Sequence, residues 1–167
     1  MELTELNQLS EQMLREQLAI CCGSRRWQEN LIAQAPFTSE EDLFYKSSAA
    51  WHSTTEADWL EAFSHHPKIG DLENLKKKFA STQHLAGAEQ SSVQEASLEV
   101  LNKLAEGNNA YENKFGFIFI VCATGKSANE MLDLLEKRLL NTREEELKIA
   151  AGEQNKITLL RLKKLIA

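Results

Sequence analysis

Only two prolines and seven glycines interrupt the 167 residues of this chain. Both residue types break helices, so their scarcity leaves room for long, uninterrupted ones. Long apolar runs are missing as well. Nothing approaches the ~20 consecutive apolar residues of a membrane-spanning helix, so no membrane partner is expected. Cysteine is sparse: Cys21 and Cys22 are neighbours and Cys122 stands alone in an apolar run. An odd number without framework spacing argues against a disulfide scaffold and for a reducing compartment. An excess of positive charge is lacking too. The formal net charge of −6 gives no basic surface for nucleic acid or an anionic membrane. Lysines do cluster at Lys76-Lys77-Lys78 and near the end of the chain. A local pocket for a small anionic molecule is therefore compatible with the overall charge. The acidic start, Met1-Glu2-Leu3-Thr4-Glu5, does not resemble a signal peptide, and Leu165-Ile166-Ala167 is not a peroxisomal address. A cytoplasmic location is the expectation.

What is present is an ordinary globular balance, 43% apolar and 26% charged, in a length that suits a single domain over residues 1–167. Helical spacing recurs along the chain. Met13, Leu14, Leu18 and Cys21 with Cys22 form one stripe; Trp27, Leu31 and Ala35 form another, stopped by Pro36. Ser39 ahead of Glu40, Glu41 and Asp42 has the form of an N-cap with acids in the first turn, opening a helix to about Trp51. Thr55 with Asp58 opens the next, which buries Trp59, Ala62 and Phe63 before Pro67. Asp71 caps a helix with Leu72, Leu75 and Phe79 inward. Ser92 with Glu95, Ser127 with Glu130 and Thr142 with Glu145 read as capping boxes for three more. The run from Phe115 to Cys122 reads locally as a buried strand, yet no partner strand exists in the sequence. It is expected as an extended segment or irregular helix start inside an all-α protein, a single compact bundle of about eight or nine helices.

Few residues carry chemistry. His66 precedes Pro67, which pushes its backbone out of the helical region. It lies just past a helix C-terminus, whose dipole favours the protonated imidazole, as a general acid requires. Read alone, His65 and His66 are more simply polar residues at a helix end. Glu61 and His65, with His52 and Asp71 nearby, are the only hint of a metal site; HExxH and paired CxxC motifs are missing, so no metal is expected. Gly125-Lys126-Ser127 lacks the earlier glycine of a phosphate loop, since Ile120 stands there. Glu89 and Gln90 are either site groups or ordinary helix-start residues. Arg161, between Ile157 and Leu165 on one helix face, either snorkels or grips an anion.

Taken in order, six stretches resemble the 2-oxo-4-hydroxy-4-carboxy-5-ureidoimidazoline (OHCU) decarboxylase family. They are His66-Pro67-Lys68-Ile69-Gly70, Glu89-Gln90, Asn108-x-x-Tyr111-x-x-Lys114-Phe115-Gly116-Phe117 and Phe119-Ile120-Val121-Cys122-Ala123, then Asn141-Thr142-Arg143-Glu144-Glu145-Glu146-Leu147 and Lys156-Ile157-Thr158-x-x-Arg161-Leu162. Each is weak singly; their order across nearly the whole chain makes the match specific. The resemblance implies a carboxy-lyase that converts its substrate to (S)-allantoin at the end of urate breakdown, without a cofactor. It implies catalytic roles for His66 and Glu89, and substrate contacts at Pro67, Gln90 and Arg161. It also implies backbone contacts from Phe119, Ile120, Val121, Cys122 and Ala123, and suggests a homodimer that no apolar stripe demands. One departure is visible: the family often has Ser-x-x-Glu-Gln, and here Ala86 takes the serine position.

Overall fold

A computed structural model describes residues 1–67 and 90–167, with side-chain surroundings from residue 98 onward in the second stretch. Eight helices lie among the described residues: α1 (Leu3–Gln8), α2 (Glu11–Cys21), α3 (Arg25–Ile32), α4 (Glu40–His52), α5 (Glu56–Ser64), α6 (Gln90–Phe115), α7 (Ala128–Arg138) and α8 (Arg143–Leu165). The fold is all-α, as the sequence predicts, and the described residues contain no strand. The helix expected after Asp71 lies outside the described residues.

Local chemistry sets most helix starts. Ser39 Oγ accepts from the Asp42 N–H at 3.0 Å and Ser127 Oγ from the Glu130 N–H at 3.2 Å. Thr142 Oγ1 accepts from the Glu145 N–H at 3.2 Å, and Thr55 with Asp58 forms a complete capping box. Each bond satisfies a donor that the first helical turn leaves without a partner. Two expectations need correcting. Ser92 does not cap α6, which is already helical at Gln90; a cap is a local preference of about 1 kcal/mol that a longer helix overrides. Met13 is exposed rather than inward, because α2 buries the narrower stripe of Leu14, Leu18 and Cys21.

The chain divides into two compact units. The first comprises Met1–His66, Ile120–Cys122 and Leu147–Ala167, so it holds α1 to α5 and most of α8. Its core is built on two tryptophans. Trp27 is wholly buried and donates its indole N–H to the Ser47 carbonyl at 3.1 Å. Trp51 donates to the Ala151 carbonyl on α8 at 2.9 Å. A buried indole must find an acceptor, and each ring also carries a large apolar face. Truncating either to alanine would cost roughly 3–5 kcal/mol. On α8, Leu147, Ala150, Ala151, Gln154, Thr158 and Leu162 form the buried stripe. Two of those six are polar.

The second unit, Pro67–Phe119 with Ala123–Glu146, contains α6 and α7. Gly107 of α6 packs so closely that an added Cβ would lie 2.6 Å from Leu135 Cδ2 on α7. The aromatic rings of Phe115, Phe117 and Phe119 surround Tyr111, with centroids 4.5, 5.8 and 5.3 Å from it. Beneath them lies a wholly buried carboxylate, Glu146. It accepts from the Tyr111 hydroxyl at 2.5 Å, from Arg138 Nε at 2.7 Å and from Asn141 Nδ2 at 2.8 Å. Burial and the bond to Glu146 push the Tyr111 phenol up. A buried charge this well satisfied holds its surroundings in register, and removing one partner would cost about 3–5 kcal/mol. The strand-like run thus becomes an irregular extended segment. It leaves α6 at Gly116, whose positive φ of 81° favours glycine.

Candidate functional site

The end of α5 separates its two histidines. His65 caps the helix, and His66 donates its N–H back to the Phe63 carbonyl at 3.2 Å. The His65 ring lies against Gly23, in the junction between α2 and α3, where an added Cβ would come within 2.5 Å of the imidazole. Only glycine admits that approach. The His66 ring goes elsewhere: its Nε2 lies 2.5 Å from Oε1 of Gln154 on α8. Adjacent residues past a helix end thus serve different surfaces, and His66, half-buried, reaches the polar part of the α8 stripe.

Gln154 is wholly buried and bonded at both ends of its amide. Its Nε2 donates to Thr158 Oγ1 at 3.1 Å, and the Thr158 hydroxyl donates to the Gln154 main-chain oxygen at 2.9 Å. Burial pushes the Cys22 thiol up to about 11. Arg161 follows on the same face, because residues 154, 158 and 161 are spaced four and three apart. Its Nη1 reaches the carbonyls of Ile20 and Cys21 at 3.5 and 3.4 Å. Those carbonyls end α2, where a cation is electrostatically favoured. Both contacts come from Nη1, so the Nε–Nη2 edge makes no bond among the described residues. Arg161 therefore does more than snorkel.

The other residues singled out in the sequence divide. Pro67 is exposed. Glu89 and Ala86 lie outside the described residues, and Gln90 is the first residue of α6. Ile120 and Cys122 are buried, and Val121 and Ala123 are half-buried. The Cys122 N–H donates to Glu153 Oε1 on α8 at 3.3 Å. The Phe119 ring belongs to the aromatic cluster, with the Arg138 guanidinium 4.6 Å from its centroid. Among the described residues no three His, Cys, Asp or Glu side chains could hold a metal ion. Glu61, the acid of the metal reading, accepts the Arg25 N–H at 2.7 Å and so serves the start of α3.

Sequence reading missed Gln154 and Glu153. The signal was faint but present. Gln154 and Thr158 interrupt the apolar run of Leu147, Ala150, Ala151 and Leu162 on α8, and a polar residue on a buried stripe must find a partner.

The OHCU decarboxylase family model matches residues 7–163. The chain is 38% identical over 148 residues to the uric acid degradation bifunctional protein TTL of Arabidopsis thaliana, covering 89% of this chain and 46% of that protein. It is 28% identical over 143 residues to the 2-oxo-4-hydroxy-4-carboxy-5-ureidoimidazoline decarboxylase of Halalkalicoccus jeotgali, covering 86% of this chain and 76% of that one. The chain thus spans less than half the length of the plant relative, and 32% of each of two Bacillus relatives. Among solved structures, an OHCU decarboxylase crystallised in the presence of (S)-allantoin superposes with a TM-score of 0.69 at 38% identity, over 89% of this chain and 95% of that one. An (S)-allantoin synthase shares the fold, with a TM-score of 0.73 at 19% identity over 99% of this chain and 54% of that one.

Proposed function

The chain belongs to the OHCU decarboxylase family, and we propose that it decarboxylates 2-oxo-4-hydroxy-4-carboxy-5-ureidoimidazoline to (S)-allantoin in urate breakdown, with His66 as the proton donor. The observation that carries this reading is the placement of His66, held by a buried amide on the α8 face that also bears Arg161. The family match runs through both compact units, which supports treating residues 7–163 as one functional domain.

The reaction needs little from the protein. The departing carboxylate sits on a carbon beside a ring C=N, so its electron pair moves into that C=N as CO2 leaves. The substrate carries the electron sink that a cofactor would otherwise supply. What remains is to bind the ring, orient the carboxylate and protonate one face. His66 delivers that proton. Arg161 offers its Nε–Nη2 edge to a substrate anion, as a planar fork suits a carboxylate. Glu89 orients the imidazole or holds the substrate hydroxyl or ureido group. Pro67, Gln90 and the backbone of Phe119, Ile120, Val121, Cys122 and Ala123 contact the ring and ureido groups. The substrate is a small anionic molecule, the setting is cytoplasmic, and the working form is a homodimer.

The test generates the unstable substrate in situ from urate and follows allantoin by circular dichroism. The reading expects a rapid optical signal of the (S) form. Allantoin that accumulates at the uncatalysed rate, as a racemate, overturns it.

A further inference from the structure

We propose that Gln154 is a positioning residue that decides which nitrogen of His66 titrates: Nε2 keeps its proton, donated to Gln154, and Nδ1 takes up and delivers the proton of the reaction. This deepens the reading of His66 as general acid and rests on it.

A chain of donors and acceptors fixes the Gln154 amide. An amide can face either way, so its neighbours must choose. The single hydrogen of the Thr158 hydroxyl is spent on the Gln154 main-chain oxygen, 2.9 Å away. The hydroxyl can then only accept from the Gln154 side chain, 3.1 Å away, so the amide must turn its NH2 toward Thr158. The amide oxygen is thereby turned to His66, 2.5 Å from Nε2. An oxygen that only accepts requires a ring nitrogen that donates, so Nε2 carries hydrogen in the neutral ring as well as the charged one. Nδ1 is then the nitrogen whose proton comes and goes.

The residue type matters. A glutamate at 154 would also accept from Nε2, but its charge would hold the ring as imidazolium, and it could not donate to Thr158. The neutral amide orients the ring without trapping its charge.

The step balances. The bond to the carboxylate breaks and CO2 leaves without the electron pair. The pair forms a ring C=C as the C=N pair moves to nitrogen; the ureido-bearing carbon then takes the proton from Nδ1, while the substrate hydroxyl becomes the carbonyl and its proton ends on the ring nitrogen. His66 ends neutral with Nε2–H still on Gln154, and one proton from water resets it.

The experiment is nitrogen-15 NMR of histidine-labelled protein, with His66 assigned through His66→Asn, alongside kcat and KM. The neutral wild-type ring is expected as the Nε2–H tautomer. Thr158→Val removes the hydroxyl that orients the amide. It should shift the ring toward Nδ1–H and lower kcat about tenfold to a hundredfold, with KM less affected. Thr158→Ser should restore both. If Thr158→Val does not fold, Gln154→Glu serves instead, and must keep Nε2–H while raising the charged population of the ring. A neutral wild-type ring protonated at Nδ1 overturns the proposal. So does a Thr158→Val protein with unchanged tautomer and kcat. An Nε2–H ring in a protein whose His66→Asn variant is fully active overturns it differently, by removing the general-acid role on which it rests.

Discussion

Glu153 and Cys122 are joined side chain to main chain: the Glu153 carboxylate accepts the Cys122 N–H at 3.3 Å. Lys156 Nζ, 2.6 Å from the other oxygen, holds the carboxylate in place and is itself pushed up by that contact. An extended segment without a partner strand has few ways to satisfy its backbone, and here α8 supplies one. Glu153 and Gln154 are consecutive, so one turn of α8 serves both Cys122 and His66. Glu153→Ala should free the segment around Cys122, raising KM several-fold while kcat changes little. Denaturant unfolding should show a loss of about 1 kcal/mol. An unchanged KM would separate this segment from substrate binding.

His66→Asn should abolish turnover. It also leaves Gln154 Oε1 without its acceptor role, which costs about 1–2 kcal/mol and lowers Tm by a few degrees at this chain length. A folded variant with near-normal rate removes His66 from the chemistry. His65→Asn should be mild, because the His65 ring covers Gly23 rather than reaching α8.

Arg161 is shared between α2 and the proposed anion. Arg161→Ala should therefore do two things. It should weaken substrate binding by about one to three decades in KM. It should also cost stability of roughly 0.5–1 kcal/mol, since a cation is lost from the end of α2. Arg161→Lys should recover most of the stability but only part of the binding, because an ammonium lacks the planar fork. Wild-type kinetics in both variants would confine Arg161 to capping α2.

Alkaline pH should expose the buried thiols. Burial raises Cys21 and Cys22 from the ordinary thiol value of 9.0 to about 11. The folded state thus favours the neutral thiol, and its stabilising effect is complete below the unfolded value. As pH climbs from about 9 to about 11, the unfolded chain loses protons that the folded chain keeps, and stability falls. Urea midpoints measured across that window should drop, and the drop should shrink in Cys22→Ala. A flat profile would mean the thiols ionise freely in the fold. At neutral pH both thiols should react slowly with alkylating agents.

The sequence by itself determined the features that depend on a few neighbouring residues. Ser39, Thr55 with Asp58, Ser127 and Thr142 cap the helices they were expected to cap, because a cap joins atoms only three residues apart. The apolar stripes of Leu14, Leu18, Trp27, Leu31 and Leu43 are buried because 3.6-residue periodicity is written directly in residue order. His66 was visible through the proline beside it. What faces each stripe was not written locally. The run from Phe115 to Cys122 has strand chemistry, and tertiary packing made it extended coil by giving its rings Tyr111 and one of its amides Glu153. Glu146 looked like one acid among three, yet it lies wholly buried with Tyr111 and Arg138, 35 and 8 residues away. Gln154 acquires its role only from His66, 88 residues distant in the chain. A buried polar group takes its meaning from the partner that satisfies it, and only the tertiary structure brings that partner within hydrogen-bond reach.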